Sequence, residues 1–146
     1  MSDEGIAVNQ RRDGARYVGA YERDEKHGLG TTYRKDGSIK YKGMWKFDLP
    51  EDEGVAMQVE EDGSIYEGPF QAGERHGAKG ILYHSDGTKE YEGRWVNDEM
   101  DDPKHALYRW LDGSTYKGPF VSNQKHGEGL YADKYGNEER RLYEND

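Results

Sequence analysis

The stretch Tyr66-Glu67-Gly68-Pro69-Phe70 carries the pattern that organises this chain: an aromatic residue, a glycine and a second aromatic residue at alternate positions. The five copies are Tyr17-Gly19-Tyr21, Tyr41-Gly43-Trp45, Tyr66-Gly68-Phe70, Tyr91-Gly93-Trp95 and Tyr116-Gly118-Phe120. The lead tyrosines, which open the copies, are 24, 25, 25 and 25 residues apart. A fixed period of this length predicts a repeat array rather than one globular core.

The composition favours a thin sheet. Of 146 residues, 32% are hydrophobic and 35% are charged, which is too polar for a thick two-layer core. The 20 glycines and 12 tyrosines recur too regularly for a disordered chain. We therefore expect a single layer whose apolar rows are covered by aromatic side chains.

Charge and targeting signals narrow the partners and the compartment. The net charge of -9 disfavours nucleic acid and anionic lipid and favours a basic or amphipathic protein segment. The chain has no cysteine, so it has neither disulfides nor thiolate metal sites. The N-terminus lacks a secretory signal, and no stretch approaches the roughly 20 apolar residues of a membrane helix. A cytoplasmic location is expected.

Each copy of the triplet reads as a β-strand. Side chains alternate between the two faces of a strand, so Tyr66, Gly68 and Phe70 share one face. A glycine inside a strand usually marks a close approach by another group. We expect that group to be an aromatic ring from the adjacent strand, lying across the bare backbone.

The second half of each unit predicts a return strand and a turn. Glycines follow His27, His76 and His126, and an aromatic residue and a turn come next. The Asp-Gly pair is a strong hairpin signal, because both residues tolerate positive φ. The turns are Asp36-Gly37, Asp62-Gly63, Asp86-Gly87, Asp112-Gly113 and the looser Tyr135-Gly136. The prediction is an antiparallel meander, with Ile6 and Val8 in a strand before the first copy.

This succession of Tyr-x-Gly-x-aromatic, His-Gly-x-Gly and Asp-Gly resembles the MORN repeat (membrane occupation and recognition nexus). The resemblance implies an all-β, elongated, single-layer antiparallel meander of about five hairpin repeats with an aromatic groove. It places the array at residues 13–136, after an acidic segment and capping strand at 1–12 and before a capping segment at 137–146. It also implies a non-enzymatic scaffold in cytoskeletal, ciliary or axonemal assemblies or at membranes.

The second and fourth repeats differ from the others. Each has two extra residues, which we place in hairpin loops at 46–53 and 96–103, and this makes Glu53 and Pro103 the counterparts of the histidines. Both repeats have alanine, Ala56 or Ala106, in place of the second glycine. One hypothesis is that carboxylates in these loops grip a basic partner; the other is that the loops are solvated turns. The carboxylates proposed as contacts are Asp48, Glu51, Asp98 and Asp101.

The third repeat is one residue longer between its histidine and its turn glycine than the first and fifth. From His76 to Gly87 the chain advances 11 residues, against 10 from His27 to Gly37. The extra residue predicts either a β-bulge or a longer turn.

No pattern of residues indicates catalysis or a cofactor. Equivalent histidines two repeats apart are separated by four strands, roughly 19 Å, so we interpret them as structural rather than metal ligands. The acidic run Asp98–Asp102 lacks the spacing of a calcium loop. No serine has an evident base beside it. We expect no enzyme activity, no metal and no cofactor.

The aromatic ladder is the predicted docking surface. A single layer leaves its rings partly exposed, and an exposed apolar stripe usually marks a binding site. The ring residues assigned to partner binding are Tyr41, Trp45, Tyr66, Phe70, Tyr91, Trp95, Tyr116 and Phe120. The leading hypothesis is a scaffold that binds a protein segment along this groove. The alternatives are a peripheral membrane tether for anionic phospholipids and a regulatory subunit of an enzyme complex. The sequence leaves the oligomeric state open.

Overall fold

The structure, a computed structural model, describes residues 5–144 apart from the side chain of Val55. Residues 1–4 of the predicted N-terminal segment and residues 145–146 of the predicted C-terminal segment lie outside this range. The described residues form one 16-stranded antiparallel sheet and contain no helix that could span a membrane.

Twelve longer strands form the path of the sheet. They are β1 (Gly5–Gln10), β2 (Arg16–Glu22), β3 (Glu25–Tyr33), β4 (Ile39–Lys46), β6 (Asp52–Val59), β7 (Ile65–Gln71), β9 (Gly77–Tyr83), β10 (Lys89–Val96), β12 (Asp102–Arg109), β13 (Thr115–Val121), β15 (Gly127–Ala132) and β16 (Glu138–Tyr143). Four two-residue strands, each paired with the strand before it, are β5 (Leu49–Pro50), β8 (Glu74–Arg75), β11 (Glu99–Met100) and β14 (Gln124–Lys125). Each long strand pairs with the next one in the chain, so the predicted open meander is confirmed.

The Asp-Gly turns join each repeat to the next as predicted, but only the glycine has positive φ. At the first of them, Arg34 N donates to Ser38 O at 2.8 Å and Gly37 has a φ of 90°. The Asp36 carboxylate instead accepts hydrogen bonds from Ser38 N at 2.8 Å and from Ser38 Oγ at 2.6 Å. Aspartate is therefore used as a side-chain acceptor that closes the turn.

The hairpin inside each repeat closes through a two-residue turn with both residues at positive φ, as in type I′ turns. The five pairs are Arg23-Asp24, Phe47-Asp48, Ala72-Gly73, Asn97-Asp98 and Ser122-Asn123. The prediction of long acidic loops in the second and fourth repeats is therefore wrong. Their turns are as short as those of the other repeats.

The two extra residues of those repeats lie within a strand. Asp52 pairs with Phe70 and Ala56 with Gly68, so β6 advances four residues while β7 advances two. The same offset separates Asp102 from Ala106 in β12. Counted from the turns, the counterparts of the histidines are therefore Glu51 and Asp101, rather than Glu53 and Pro103.

The third repeat contains the predicted bulge. Gly93 pairs with Gly80 and Trp95 with Gly77, so β9 advances three residues where β10 advances two. The Asp86-Gly87 turn keeps the same hydrogen bonds as the others. The extra residue is thus absorbed in the strand and not in the turn.

The front face, defined here as the face that carries the lead tyrosines, holds the core. Its aromatic rings meet edge to face along the whole array, as in the pairs Tyr41–Phe70 and Tyr66–Trp95, whose ring centroids are 5.1 and 5.2 Å apart. The opposite face is called the back face. The buried hydrophobic residues are Tyr17, Tyr41, Trp45, Ala56, Tyr66, Phe70, Tyr91, Trp95, Ala106, Tyr116, Phe120 and Tyr143.

Each first-half glycine is covered by a ring from its own strand, which corrects the expectation of a ring from the adjacent strand. A Cβ on Gly68 would lie 2.6 Å from the Tyr66 hydroxyl oxygen. The same hydroxyl would lie 2.5 Å from a Cβ on Gly80 in the adjacent strand, and it donates to Pro69 O at 2.9 Å. One tyrosine therefore occupies the space above two glycines.

Candidate protein-binding face

The eight ring residues predicted to bind a partner are buried, so the expectation of a partly exposed stripe is wrong. Their exposed fractions range from 0% for Tyr66 to 6% for Trp45. Neighbouring rings pack against one another edge to face, and side chains from the hairpin ends lie over them. The rings form the floor of the front face, and a partner at this face would contact the side chains that surround them.

A cation lies over the rings in each odd-numbered repeat. Lys26 Nζ is 4.8 Å from the Trp45 ring, the Arg75 guanidinium carbon is 4.4 Å from the Trp95 ring, and Lys125 Nζ is 4.2 Å from the Tyr143 ring. These distances are typical of cation–π contacts. Sequence reasoning missed these residues, although each occurs directly before His-Gly.

An intervening row of half-buried residues separates the lead tyrosines on the front face. Its members, each paired with lead tyrosines, are Thr32, Gln58, Leu82, Tyr108 and Tyr131. The row is polar in the first two repeats and apolar in the last three. The front face therefore changes in character along the array.

The C-terminal half of the front face is apolar and partly accessible. Leu82, Tyr108 and Trp110 pack against the core without being fully buried. The Tyr108 hydroxyl donates to Glu90 Oε1 at 3.1 Å. Burial, followed by the charge of Glu90, raises the pKa of Tyr108 to about 12, so the hydroxyl remains a hydrogen-bond donor near neutral pH.

The N-terminal half of the front face is a basic groove of about 360 Å³. Buried rings of Tyr17, Tyr41 and Trp45 form part of its lining. The cationic side chains around it are Arg11, Arg16, Lys26 and Lys40. No aspartate or glutamate lines this groove, although the whole chain has a net charge of -9.

The four carboxylates proposed as partner contacts all accept hydrogen bonds within the array. Asp48 Oδ1 accepts from Lys26 N at 2.7 Å, and Asp98 Oδ1 accepts from Arg75 Nε at 2.6 Å. Glu51 Oε2 accepts a hydrogen bond from Ala72 N at 2.6 Å, and Asp101 Oδ1 accepts one from Arg94 Nη2 at 2.8 Å. Their binding to a partner stays a prediction, and the structure gives each of them an architectural contact.

Side chains at the type I′ turns connect successive hairpins. The third residue after each of three turns accepts a hydrogen bond from the first residue of the next turn: His76 from Asn97 N at 3.1 Å, Glu51 from Ala72 N at 2.6 Å and Asp101 from Ser122 N at 3.4 Å. His76 in an odd repeat and the carboxylates in the even repeats thus accept the equivalent hydrogen bond. The other two histidines differ: His27 Nε2 lies 3.2 Å from Glu22 Oε2, and His126 is exposed.

The opposite ends of the hairpins are also connected. Arg34 donates to Ile39 O at 3.0 Å and also to Val59 O. At the matching place two repeats later, the His84 ring contacts Arg109 O at 2.7 Å. Within residues 5–144, no three His, Asp or Glu side chains are grouped as a metal site would require.

Two further carboxylates, missed by sequence reasoning, hold the strand insertions of the even repeats. Asp52 Oδ2 accepts from Met44 N at 2.9 Å and its Oδ1 accepts from Gly54 N at 2.7 Å. Asp102 accepts equivalent bonds from Arg94 N and Lys104 N. Their spacing of 50 residues in otherwise divergent segments was the available signal.

The solved structures described next are distant likenesses. A catalytically inactive virginiamycin B lyase from Staphylococcus aureus with quinupristin is 11% identical, with a TM-score of 0.24, over 99% of this chain and 43% of that one. A streptogramin B lyase structure is 15% identical, with a TM-score of 0.23, over 97% of this chain and 41% of that one. The chain spans less than half the length of these structures, and the TM-scores are too low to indicate a shared fold.

Comparison with family models is informative. No curated protein matches the chain. The model of the MORN repeat matches residues 17–39, 91–101 and 116–134, which fall in the first, fourth and fifth repeats described above. Those segments contain the lead tyrosines, the glycines beneath them and the hairpin turns. The chain therefore contains three segments that match the MORN repeat.

Proposed function

We propose that this chain is a non-enzymatic scaffold that binds an amphipathic protein segment along its front face. MORN repeats are known in protein-interaction and membrane-binding scaffolds, and the family is generally non-enzymatic. The observation that carries the proposal is that Leu82, Tyr108 and Trp110 stay partly accessible on the front face while they pack against its buried aromatic rings. Partly exposed aromatic and aliphatic residues over a packed base are typical of protein-binding sites.

The front face is basic in its N-terminal half and apolar in its C-terminal half, and this difference indicates the chemistry of the partner segment. Arg11, Arg16, Lys26 and Lys40 surround the N-terminal groove, so an acidic end of the partner fits there. The intervening row becomes apolar from Leu82 onward, so hydrophobic side chains fit the C-terminal half. This modifies the initial expectation of a basic partner, because the acidic side chains named for that contact already bond within the array. The cytoskeletal or ciliary setting and the cytoplasmic location remain proposals drawn from the family.

A matched pair of variants tests this proposal. Leu82 and Ile81 are adjacent, half-buried and on opposite faces of β9. Proteins captured by the native chain are identified by mass spectrometry and tested against Leu82→Gln and Ile81→Gln. Partners should be lost with Leu82→Gln, by roughly tenfold or more in affinity for a central apolar contact, and kept with Ile81→Gln. Equal binding by both variants, with native circular dichroism, would contradict front-face docking.

A membrane tether is the second candidate, and the basic groove is the observation that favours it. Four cations around one groove, with no aspartate or glutamate in its lining, could attract anionic headgroups despite the overall charge. Co-sedimentation with phosphatidylserine vesicles decides between the candidates. Salt-sensitive pelleting that Arg16→Gln and Lys40→Gln abolish would favour the tether. The absence of pelleting at low salt would leave protein binding as the function.

A regulatory or targeting subunit of an enzyme complex is the remaining alternative. In this case an enzyme chain would bind the same front face, because its binding is also a protein–protein contact. The mass-spectrometric identity of the captured proteins separates this case from a purely structural scaffold.

A further inference from the structure

The first strand leaves an uncharged edge at one end of the sheet. β1 pairs with β2 alone, all six of its residues are exposed, and its sequence Gly-Ile-Ala-Val-Asn-Gln contains no charge. An edge strand of this kind presents a row of backbone N–H and C=O groups to any chain that can pair with it. Natural sheets usually protect such an edge with charges, prolines or bulges.

The other end of the sheet has that protection. β16 carries Glu138, Glu139, Arg140 and Arg141 among its six residues. The two edge strands therefore differ in charge, and charged side chains on an edge strand oppose the addition of another strand.

Exposed apolar side chains continue from this edge onto the back face. Ile6 and Val8 are 85% and 68% exposed, and they pair with Ala20 and Val18 on β2. On the following strands, Leu29 pairs with Met44, and these residues are 63% and 44% exposed. An apolar surface that reaches an open edge is the arrangement expected where a second sheet joins the first.

We propose that β1 pairs antiparallel with β1 of a second copy of this chain, so that two arrays form one continuous sheet. A twofold axis perpendicular to the sheet reverses the strand and keeps each face on its own side. Side chains alternate between the faces, so each residue must pair with one whose number differs from its own by an even number. The central pair beside the axis is therefore Ala7 with Ala7 or Val8 with Val8. With Ala7 on the axis, Ile6 of each copy lies beside Val8 of the other on the back face.

Self-complementarity favours the second copy as the occupant. β1 carries no charge, so two copies of it meet without like charges opposite each other, which would be destabilising. Ile6 of one copy covers Val8 of the other, so the two exposed apolar side chains are removed from water together. The net charge of -9 opposes association in general, but none of it lies in β1.

Sedimentation velocity tests this proposal on the whole chain. The native protein should reach twice the mass of one chain as its concentration rises. Lysines at the exposed positions, in Ile6→Lys/Val8→Lys, should shift that association to at least tenfold higher concentration. The matched variant Leu142→Lys, which changes a 75% exposed leucine on the other edge, should associate like the native chain. A native protein that stays monomeric throughout overturns the proposal, as does equal loss of association in both variants.

Cysteine cross-linking locates the twofold axis, because the native chain has no cysteine. Residues on the axis of an antiparallel pair have Cα atoms about 4.5 to 5.5 Å apart, which a disulfide can span. Under mild oxidation, Ala7→Cys or Val8→Cys should form a covalent dimer, and Leu142→Cys should not. Cross-linking through Leu142→Cys alone would assign the contact to β16 and refute the proposed seam.

Discussion

At the residue scale, the odd-numbered repeats have one tyrosine lying over two glycines, and the even-numbered repeats have alanine in place of the second glycine. The ring of Tyr66 fills the space above Gly68 on its own strand and Gly80 on the next, and its hydroxyl bonds to Pro69 O. The side chain two residues after each lead tyrosine must therefore be absent. The third position of the triplet is more tolerant, since Tyr21, Trp45 and Phe70 all occur there.

The two buried tryptophans should differ in how well they tolerate phenylalanine. Trp45 Nε1 donates to Gly30 O at 3.1 Å, whereas Trp95 Nε1 is buried with no acceptor among the described residues. Both replacements lose similar ring volume, so this cost cancels in the comparison. Trp45→Phe should reduce the free energy of unfolding by about 1 kcal/mol more than Trp95→Phe, as measured by urea unfolding.

The bulge in β9 provides the physical reason for that difference. Gly77, which pairs with Trp95, is three residues before Gly80. Gly28, which pairs with Trp45, is only two residues before Gly30. Phe70 and Phe120 occupy the equivalent position natively and serve as the reference for a ring without a donor. A Trp95→Phe loss equal to or larger than that of Trp45→Phe would contradict this account.

At the element scale, a carboxylate stabilises each strand insertion, and it is buried at Asp52 and half-buried at Asp102. Between matched pairs, β6 and β12 each advance four residues where β7 and β13 advance two. The carboxylates of Asp52 and Asp102 accept hydrogen bonds from backbone N–H groups at these insertions. The insertions leave the tight turns unchanged, so the hairpins of all five repeats keep the same spacing at their ends.

Replacing Asp102 with asparagine should destabilise the chain by about 2 kcal/mol, because one of two charge-assisted bonds loses its acceptor. Burial opposes ionisation, yet hydrogen bonds from Lys104 N and Arg94 N hold the pKa of this carboxyl below its usual value. A lowered folded-state pKa stabilises the fold above the unfolded pKa of about 4, and that contribution is lost as the pH falls through the folded value.

Urea unfolding as a function of pH checks this prediction. The difference in free energy of unfolding between the unmutated chain and Asp102→Asn should narrow as the pH falls below about 4, because the unfolded carboxyl takes up its proton there before the folded one does. Glu99→Gln is the control, since it removes an exposed charge on the neighbouring β11. A difference that is independent of pH, or as large for Glu99→Gln, would be incompatible with an ionised carboxylate that accepts hydrogen bonds at the insertion.

The repeats, the face of each strand and the Asp-Gly hairpins could be predicted, because alternation and period are local properties of the sequence. The position of the two extra residues could not, since counting residues does not distinguish a longer turn from an insertion in a strand. Phe47-Asp48 is an unusual pair for a turn with two positive φ values, so nothing in the sequence marked it.

The burial of the aromatic ladder was missed for a different reason. Strand periodicity shows which face carries Trp45 or Trp95, but not which side chains from other hairpins cover that face. Lys26 and Arg75 reach these rings from positions about 20 residues earlier in the chain. Docking along the front face stays a proposal, and the half-buried hydrophobic residues on that face include Leu82, Tyr108 and Trp110.

At the scale of the whole molecule, the chain is an open ribbon with one core face and two unlike edges. Its core is a single line of aromatic rings, and the lead tyrosines in that line share the same effect of burial on their pKa. Burial raises the pKa of Tyr17 and of Tyr116 to about 12. It also raises the pKa of the lead tyrosines Tyr41, Tyr66 and Tyr91 above the usual range.

Stability should therefore fall in alkaline solution. An unfolded tyrosine ionises near pH 10, and the folded tyrosines keep their protons to higher pH. The unfolded state then binds fewer protons than the folded state, so the free energy of unfolding decreases as the pH rises above about 10. The urea midpoint and tyrosinate absorbance should change together. Ionisation of the lead tyrosines near pH 10 in a chain that remains folded would argue against their burial.

Acrylamide quenching of tryptophan fluorescence tests most directly whether the rings form a core or an exposed stripe. Trp45 and Trp95 are 6% and 2% exposed, and Trp110→Phe removes the half-buried third tryptophan. In that variant, quenching of the folded chain should be several times weaker than in urea. Quenching as strong in the folded chain as in the unfolded one would mean that the rings face solvent, contrary to a front face built on an aromatic floor.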